Sequence, residues 1–208
     1  MNIKKYSIIS FLTISMFVIG GCSLDFTNNT TNRPITNSNN ANGQNDSNTN
    51  NSNTIDLNTN NSNTIDLSNK GLDTFPKDIL SKTNTHRLIL SNNNLKNLPS
   101  EIGQLTNLEE LYLDNNQLGG SLPGEIRKMS KLKILDAHNN IMTGVPAEVG
   151  QLQNLQTLNL SNNKLTGLPY EMGNLKNLKT LNISGNNYSE LDLGIIQEKL
   201  PTSVNIIK

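Results

Sequence analysis

The chain has 208 residues, enough for one domain with appendages. Aromatic residues make up 4% of it and tryptophan is absent, so any core must be aliphatic. Lysine plus arginine and aspartate plus glutamate balance at 17 each, which argues against the concentrated basic surface that nucleic acid requires. Cys22 is the single cysteine, and this excludes an internal disulfide framework.

The first 21 residues have the pattern of a targeting segment. Lys4 and Lys5 provide a positive start, and a largely apolar run of 14 residues follows from Tyr6 to Ile19. A run of this length is too short for an easy membrane span and suits the apolar part of a signal peptide. We therefore expect residues 1–21 to direct the protein out of the cytoplasm.

The residues around Cys22 predict a lipid anchor. The sequence Ile19-Gly20-Gly21-Cys22 resembles the lipobox of bacterial lipoproteins. The resemblance implies cleavage before Cys22 and lipidation of that residue, which anchors the chain to a bacterial cell membrane facing outside the cytoplasm. Each buried methylene of an acyl chain contributes roughly 0.8 kcal/mol to such anchoring. The alternatives are an ordinary secretory signal with a chance cysteine, or an uncleaved anchor.

Residues 22–63 are of low complexity. Sixteen of the 36 residues from 28 to 63 are asparagine and half of the others are threonine or serine, so this stretch cannot bury enough apolar surface to offset chain entropy. We interpret it as a disordered tether, spanning roughly 35 Å on average. The nine residues Thr49–Leu57 recur verbatim as Thr59–Leu67. We expect the second copy to contain the first strand, and the first copy to be duplicated linker that could pair weakly at the open edge.

From residue 64 to residue 208 the chain repeats with a period of 23, with one step of 24. Self-similarity at such a period predicts a solenoid, because one unit cannot bury its own apolar residues. Each unit carries apolar residues at its fourth and sixth places: Ile65/Leu67, Leu88/Leu90, Leu111/Leu113, Leu135/Ala137, Leu158/Leu160, Leu181/Ile183 and Val204/Ile206. Five units carry asparagine at the ninth place: Asn93, Asn116, Asn140, Asn163 and Asn186.

Each unit divides into a strand half and a helical half. Two apolar residues separated by a polar one predict a short strand with one buried face. The ninth-place asparagine can both donate to and accept from backbone groups of adjacent turns. In the other half, motifs such as Leu98-Pro99-Ser100-Glu101-Ile102 suit a short helix start. We expect Leu105, Met129, Leu152 and Leu175 to point into the core.

This pattern resembles the leucine-rich repeat family over about residues 64–208. The resemblance implies an α/β solenoid with short parallel strands on a concave face and short helical segments on a convex back. In the first unit Lys70 replaces the ninth-place asparagine, and the extra residue of the 24-residue unit falls near Gly119 and Gly120. Residues 191–200 predict a helix and Val204–Ile207 a last strand. We expect residues 190–208 to cap the open end of the core.

Catalytic signals are almost absent from the sequence. The two histidines, His86 and His138, lie two repeats apart at different places in the unit, so we expect no shared metal site. Asp136 and His138 share a strand face, but no repeat-positioned serine or cysteine completes a nucleophile. We expect no enzyme activity and no cofactor.

The outward-facing strand residues are the candidate ligand-binding residues. The later units present asparagine, threonine and serine, whereas the early units present an apolar cluster ringed by charge, as interaction hot spots do. This predicted concave patch comprises Arg87, Ile89, Glu110, Tyr112, Asp114, Ile134, Asp136 and His138. The alternative is scattered apolar residues on a generic solvated sheet.

The sequence therefore favours a monomeric, membrane-anchored binding module with a protein partner. One alternative is a structural spacer of the envelope without a specific ligand. The other is a carbohydrate-binding protein, for which stacked aromatic residues would be expected, and Tyr112 is the only aromatic residue in the outward columns.

Overall fold

The computed structural model describes residues 63–208. The predicted targeting segment, Cys22, the asparagine-rich tether and the first copy of the duplicated nonapeptide lie outside the described residues. Nine strands and one α-helix are present in the described part, together with five short 3-10 helices. The strands are β1 Thr64–Asp66, β2 Arg87–Ile89, β3 Glu110–Tyr112, β4 Gly119–Gly120, β5 Ile134–Asp136, β6 Ile141–Met142, β7 Thr157–Asn159, β8 Thr180–Asn182 and β9 Asn205–Ile207.

Seven of these strands form one parallel sheet, in the order β1-β2-β3-β5-β7-β8-β9. Each step of the chain period moves to the adjacent strand, so Leu88 pairs with Leu111 and Leu111 with Leu135. The fourth-place leucines of β2, β3, β5, β7 and β8 have no exposed surface. All crossovers between these parallel strands run on one side of the sheet, so the opposite face of the sheet points outward. The predicted solenoid is confirmed.

The helical half of each unit is a five-residue 3-10 helix. Proline stands directly before each one, and each buries at least one apolar residue against the core, as Ile102 and Met172 do. Five residues hold little more than one turn, so i→i+3 hydrogen bonds such as Leu105 N–H to Ile102 O close the segment. The helices are Lys77–Ser81, Ser100–Gln104, Gly124–Lys128, Ala147–Gln151 and Tyr170–Asn174.

Ninth-place asparagines tie the turns together, as the sequence predicts. The Asn116 side chain accepts the Leu95 N–H at 3.0 Å and donates to the carbonyls of Leu90 and Leu113, both at 2.9 Å. Asn93 likewise bonds backbone groups of its own unit and of the preceding one. No buried side-chain polar atom in residues 63–208 lacks a partner. Each buried amide thus pairs backbone groups that the turn off the strand leaves unpaired.

The eighth-place residue of the first six units adopts a left-handed backbone, which was not predicted from the sequence. Asn115 has φ 53° and Asn162 has φ 53°, and in a later unit Gly185 takes the same place with φ 68°. Asparagine and glycine are the residues that tolerate this region. In the sequence this conformation is signalled by the asparagine that stands at place eight, directly before the ninth-place asparagine, in units such as Asn115-Asn116 and Asn162-Asn163.

The insertion near Gly119 forms structure instead of a plain loop. Gly119 pairs with Ile141 and Gly120 with Met142, which makes β4 and β6 a second, two-stranded parallel sheet. Gly120 has φ 62°, a conformation that favours glycine. The extra residue of the 24-residue unit is therefore accommodated by backbone pairing beside the main sheet.

The last strand pairs in a different register from the one predicted. A helix was predicted over residues 191–200, and the structure has α1 at Glu190–Gln197, begun by the Ser189 side chain accepting the Asp192 N–H. The last strand was predicted at Val204–Ile207 with Val204 in the leucine place. Instead Ile206 pairs with Leu181, 25 residues away, because an eight-residue α-helix uses more chain than a five-residue 3-10 helix. Leu193 and Ile196 of α1 are fully buried in the core.

Replacing Asn116 by leucine should strongly destabilise the solenoid. The change leaves the buried Leu95 N–H and the Leu90 and Leu113 carbonyls without their hydrogen-bond partner. Each unpaired group costs about 1–3 kcal/mol. We expect a loss of roughly 3–5 kcal/mol in the free energy of unfolding. Urea unfolding followed by circular dichroism measures it.

Asn154→Leu is the matched control for this experiment. Asn154 is exposed and makes one backbone bond, to the Ser130 carbonyl at 2.7 Å, so its loss should cost less than about 1 kcal/mol. Equal losses for the two variants would show that the buried asparagines do not carry the stability assigned to them.

Candidate functional site

The predicted concave patch lies on strands β2, β3 and β5 and just beyond their ends. The sheet register places Ile89 beside Tyr112 and Tyr112 beside Asp136. In the row two residues earlier it places Arg87 beside Glu110, and Glu110 beside Ile134. Asp114 and His138 follow two residues after Tyr112 and Asp136. The structure therefore brings all eight predicted residues onto one contiguous surface.

The apolar members are less exposed than predicted. Ile89, Tyr112 and Ile134 are all partly buried. Side chains on adjacent parallel strands stand about 4.8 Å apart and cover one another, which shrinks their solvent-accessible surface. The apolar cluster is therefore only partly exposed and forms a half-buried apolar strip.

Two side chains, Glu110 and Arg87, hold Tyr112 in a fixed arrangement. The Tyr112 hydroxyl donates to Glu110 Oε2 at 3.0 Å, and Arg87 Nε lies 3.3 Å from the same oxygen. The Arg87 guanidinium carbon is 5.0 Å from the centre of the Tyr112 ring, within the range of a cation–π contact. Sequence reasoning assigned these residues to one patch without anticipating this stack. A ring held on two sides presents a preorganised surface to a partner.

The surroundings of Tyr112 also change its acidity. Burial raises the pKa of the Tyr112 phenol, and the hydrogen bond to Glu110 raises it further because the nearby carboxylate opposes a phenolate charge. The phenol therefore stays protonated and remains a hydrogen-bond donor throughout the physiological range.

Carboxylates of the patch are oriented by neighbouring side chains. Asp114 accepts the Ser91 hydroxyl through one oxygen and the Asn115 amide, at 2.7 Å, through the other. Asp136 Oδ1 lies 2.7 Å from His138 Nδ1, and its other oxygen accepts the Asn159 amide at 3.2 Å. The Asp136–His138 pair is thus linked to the adjacent strand through the Asn159 amide.

The described part of the chain has neither a cluster of metal-ligating side chains nor a helix suited to crossing a membrane. Residues 63–208 contain no group of three or more His, Cys, Asp or Glu side chains that could hold a metal ion. His86 lies apart from His138 and contacts the Asn63 amide. None of the helices in this region has both the length and the apolar character that a membrane crossing requires.

A stack of parallel strands backed by short helices, with buried asparagines tying successive turns together, defines a repeat solenoid. The leucine rich repeat family model matches residues 83–141 and 130–187, and a further leucine-rich repeat model matches residues 177–198. These matches together cover more than half of the chain. The protein belongs to the leucine-rich repeat family.

Solved structures show the same architecture. A leucine-rich repeat protein of Leptospira interrogans is 36% identical, with a TM-score of 0.61, covering 64% of this chain and 34% of its own. The ectodomain of the receptor kinase GASSHO1/SCHENGEN3 of Arabidopsis thaliana, in complex with CASPARIAN STRIP INTEGRITY FACTOR 2, is 37% identical, with a TM-score of 0.58 and coverages of 66% and 17%.

The plant peptide hormone receptor RGFR1, in complex with RGF2, is 35% identical, with a TM-score of 0.60 and coverages of 69% and 24%. The chain thus spans about a third or less of the length of these three structures. No curated protein matches it.

Replacing Glu110 by glutamine should lower the pKa of Tyr112. The change removes the negative charge that opposes the phenolate, while burial continues to hold the pKa above that of a free tyrosine. A pH titration of tyrosine ring resonances by NMR measures the shift. Tyr170, whose pKa is raised by its hydrogen bond to Asp192, serves as the internal control and should not move. An unchanged Tyr112 would mean that the Glu110 contact does not persist in solution.

Proposed function

We propose that this protein is a non-catalytic binding module that recognises another protein through its concave sheet face. The observation that carries this proposal is the asymmetry of that face. The early strands present a half-buried apolar strip with oriented charges, whereas outward positions of β7 and β8 present only Thr157, Asn159, Thr180 and Asn182. A rigid aromatic residue surrounded by polar groups suits a protein interface.

Similar structures support a protein partner. The ectodomain of GASSHO1/SCHENGEN3 is in complex with CASPARIAN STRIP INTEGRITY FACTOR 2, and the peptide hormone receptor RGFR1 is in complex with RGF2. Those partners belong to those proteins, and fold alone does not assign function. What supports a protein partner for this chain is that its early strands carry outward side chains of their own chemistry on the fold that these proteins share.

We further propose that Cys22 carries a lipid anchor that displays the repeat domain outside the cytoplasm of a bacterial cell. The basic start, the apolar run and the two glycines before Cys22 support this. The asparagine-rich segment between the anchor and Thr64 would serve as a tether. Acyl chains hold a protein at a membrane surface by burying methylenes.

Two other functions give different expectations for the concave face. A spacer without a specific ligand predicts that substitutions at Ile89 and Tyr112 have no effect on partner binding. A carbohydrate binder would use aromatic faces, and in this protein the Tyr112 ring already lies against Arg87. The apolar strip with flanking carboxylates favours a protein.

Lipidation at Cys22 is tested by intact mass and membrane partitioning in a bacterial host. We expect the wild-type chain to begin at Cys22, to carry the added mass of acyl chains and to sediment with membranes. Cys22→Ala should lose the acyl mass and the membrane association while keeping the fold of the repeat domain. An unmodified, freely soluble wild-type chain would refute the anchor and leave a secreted binder.

Partner binding is tested by the double variant Ile89→Ser, Tyr112→Ala. Both side chains are partly exposed, so folding should survive with a loss of about 1–2 kcal/mol. Chemical crosslinking in the envelope of the producing cell, followed by quantitative mass spectrometry, should recover a protein with the wild type and lose it with the double variant.

Thr180→Ala with Asn182→Ser is the control, because both residues lie at outward positions of the same sheet but on β8, away from the early strands. This control should recover the partner as the wild type does. Undiminished recovery by the Ile89, Tyr112 variant, with folding verified by circular dichroism, would contradict the proposal.

A further inference from the structure

One row of side chains across the first four strands of the sheet combines apolar and acidic groups. The register aligns Asp66 with Ile89, Ile89 with Tyr112, and Tyr112 with Asp136. These four residues, here called the acid-flanked row, point outward because their chain neighbours, such as Ile65 and Leu88, are buried in the core. The row reads acid, aliphatic, aromatic, acid.

The centre of the row is an apolar surface of fixed shape. Ile89 and Tyr112 are adjacent and partly exposed, and Tyr112 is held by Glu110 and Arg87. A half-buried surface of this kind accepts an apolar side chain without rearranging.

Both ends of the row carry oriented carboxylates. Asp66 accepts the Ser68 N–H at 2.9 Å and the Ser68 hydroxyl at 2.7 Å through one oxygen. The Ser68 N–H lowers the pKa of Asp66, so this carboxyl is ionised at neutral pH. Asp136 is fixed by His138 and Asn159.

The charge around the row is unbalanced. The outward positions on and just beyond the first four strands hold four carboxylates, Asp66, Glu110, Asp114 and Asp136, against one guanidinium, Arg87. Glu110 already pairs with Arg87. Among residues 63–208 no lysine or arginine nitrogen lies within 4.0 Å of the Asp66 or Asp136 carboxylate. Asp136 also contacts the His138 imidazole and the Asn159 amide, but a carboxylate has about four acceptor sites, so both end carboxylates can still accept a cation of the partner.

The length of the row matches an extended peptide. Asp66 and Asp136 are three strand steps apart, about 14 Å at the usual strand separation. Four residues of extended chain span about 13 Å, and side chains at i, i+2 and i+4 share one face. A residue at i+2 would then lie between Ile89 and Tyr112.

We propose that the acid-flanked row binds an extended peptide segment of the partner, laid across the strands, with the pattern cation-x-apolar-x-cation. The two cations contact Asp66 and Asp136, and the apolar residue packs between Ile89 and Tyr112. This inference rests on the proposed function, since it specifies the chemistry of the partner at the same face.

The experiment measures binding of defined peptides by fluorescence anisotropy. The protein is the chain from residue 22 with Cys22→Ser, which keeps the whole repeat core and removes the lipid. The probe is a fluorescein-labelled nonapeptide, Ser-Gly-Lys-Ser-Leu-Ser-Lys-Gly-Ser. We expect it to bind, and we expect replacement of its leucine by serine to weaken binding about tenfold.

A rearranged peptide of the same composition distinguishes the effect of residue spacing on binding from the effect of net charge. Ser-Gly-Leu-Ser-Lys-Ser-Lys-Gly-Ser places the lysines two residues apart and should bind about tenfold more weakly than the probe. Asp66→Asn and Asp136→Asn should each lower the affinity for the probe about threefold and reduce the salt dependence of its binding. Asp78→Asn, an equal change of charge at an exposed position on the opposite face, is the control and should bind as the wild type does.

Equal binding of the probe and the rearranged peptide would overturn the inference, because only general attraction to an acidic surface would remain. Absence of probe binding at millimolar concentration, or binding that the Asp66 and Asp136 variants leave unchanged, would overturn it as well. The proposed function is judged separately by the crosslinked partner of the wild type. A partner lost in the Ile89, Tyr112 variant together with a failed peptide test would keep the function and reject this peptide pattern.

Discussion

The structure depends on how each turn satisfies its backbone when it leaves the strand. A solenoid with one three-residue strand per turn must fold its chain back into a helical segment within a few residues, and the turn leaves N–H and C=O groups buried between neighbouring units. The ninth-place asparagine supplies both a donor and an acceptor at that point. Leucine at the same place would fill the volume but leave those groups unpaired.

The same constraint shapes the outward face of the sheet. Because each asparagine ties its turn to the turn before, successive strands stay in register over the whole sheet. Fixed register converts positions in the repeat into straight rows of side chains across the concave face. A row can therefore vary in chemistry from strand to strand while its geometry stays constant, and this separates the surface that binds from the core that folds.

The early and late parts of that face differ in what they could recognise. Around β2 and β3, Arg87, Glu110 and Tyr112 restrain one another and hold the apolar strip in place. Around β7 and β8, Asn159 and Asn182 instead accept hydrogen bonds from Ser161 and Ser184 of their own units. Self-satisfied short polar side chains offer a partner little new binding energy, whereas a restrained aromatic residue with charged neighbours offers more.

Much of the fold could be predicted from the sequence because the period fixes both the strand spacing and the buried places. Leu88, Leu111 and the ninth-place asparagines follow directly from the repeat. The register of β9 could not be predicted from the period, because the length of α1 depends on the Ser189 cap and on the burial of Leu193 and Ile196.

Within the candidate site, the repeat predicted which residues share the surface but not how they contact one another. The stacking of Arg87 on Tyr112 and the partial burial of Ile89 depend on side-chain conformations across strands, which a one-dimensional pattern does not encode.

Site-specific photo-crosslinking in the cell envelope tests the central claim most directly. A photoreactive phenylalanine derivative is placed at Ile134 on β5 or at Thr180 on β8, which are equivalent outward positions on the same sheet. If the early strands form the binding face, the derivative at Ile134 should give a discrete protein adduct and the derivative at Thr180 should not. Equal adducts from both positions, or none from either, would contradict the assignment of binding to the early strands.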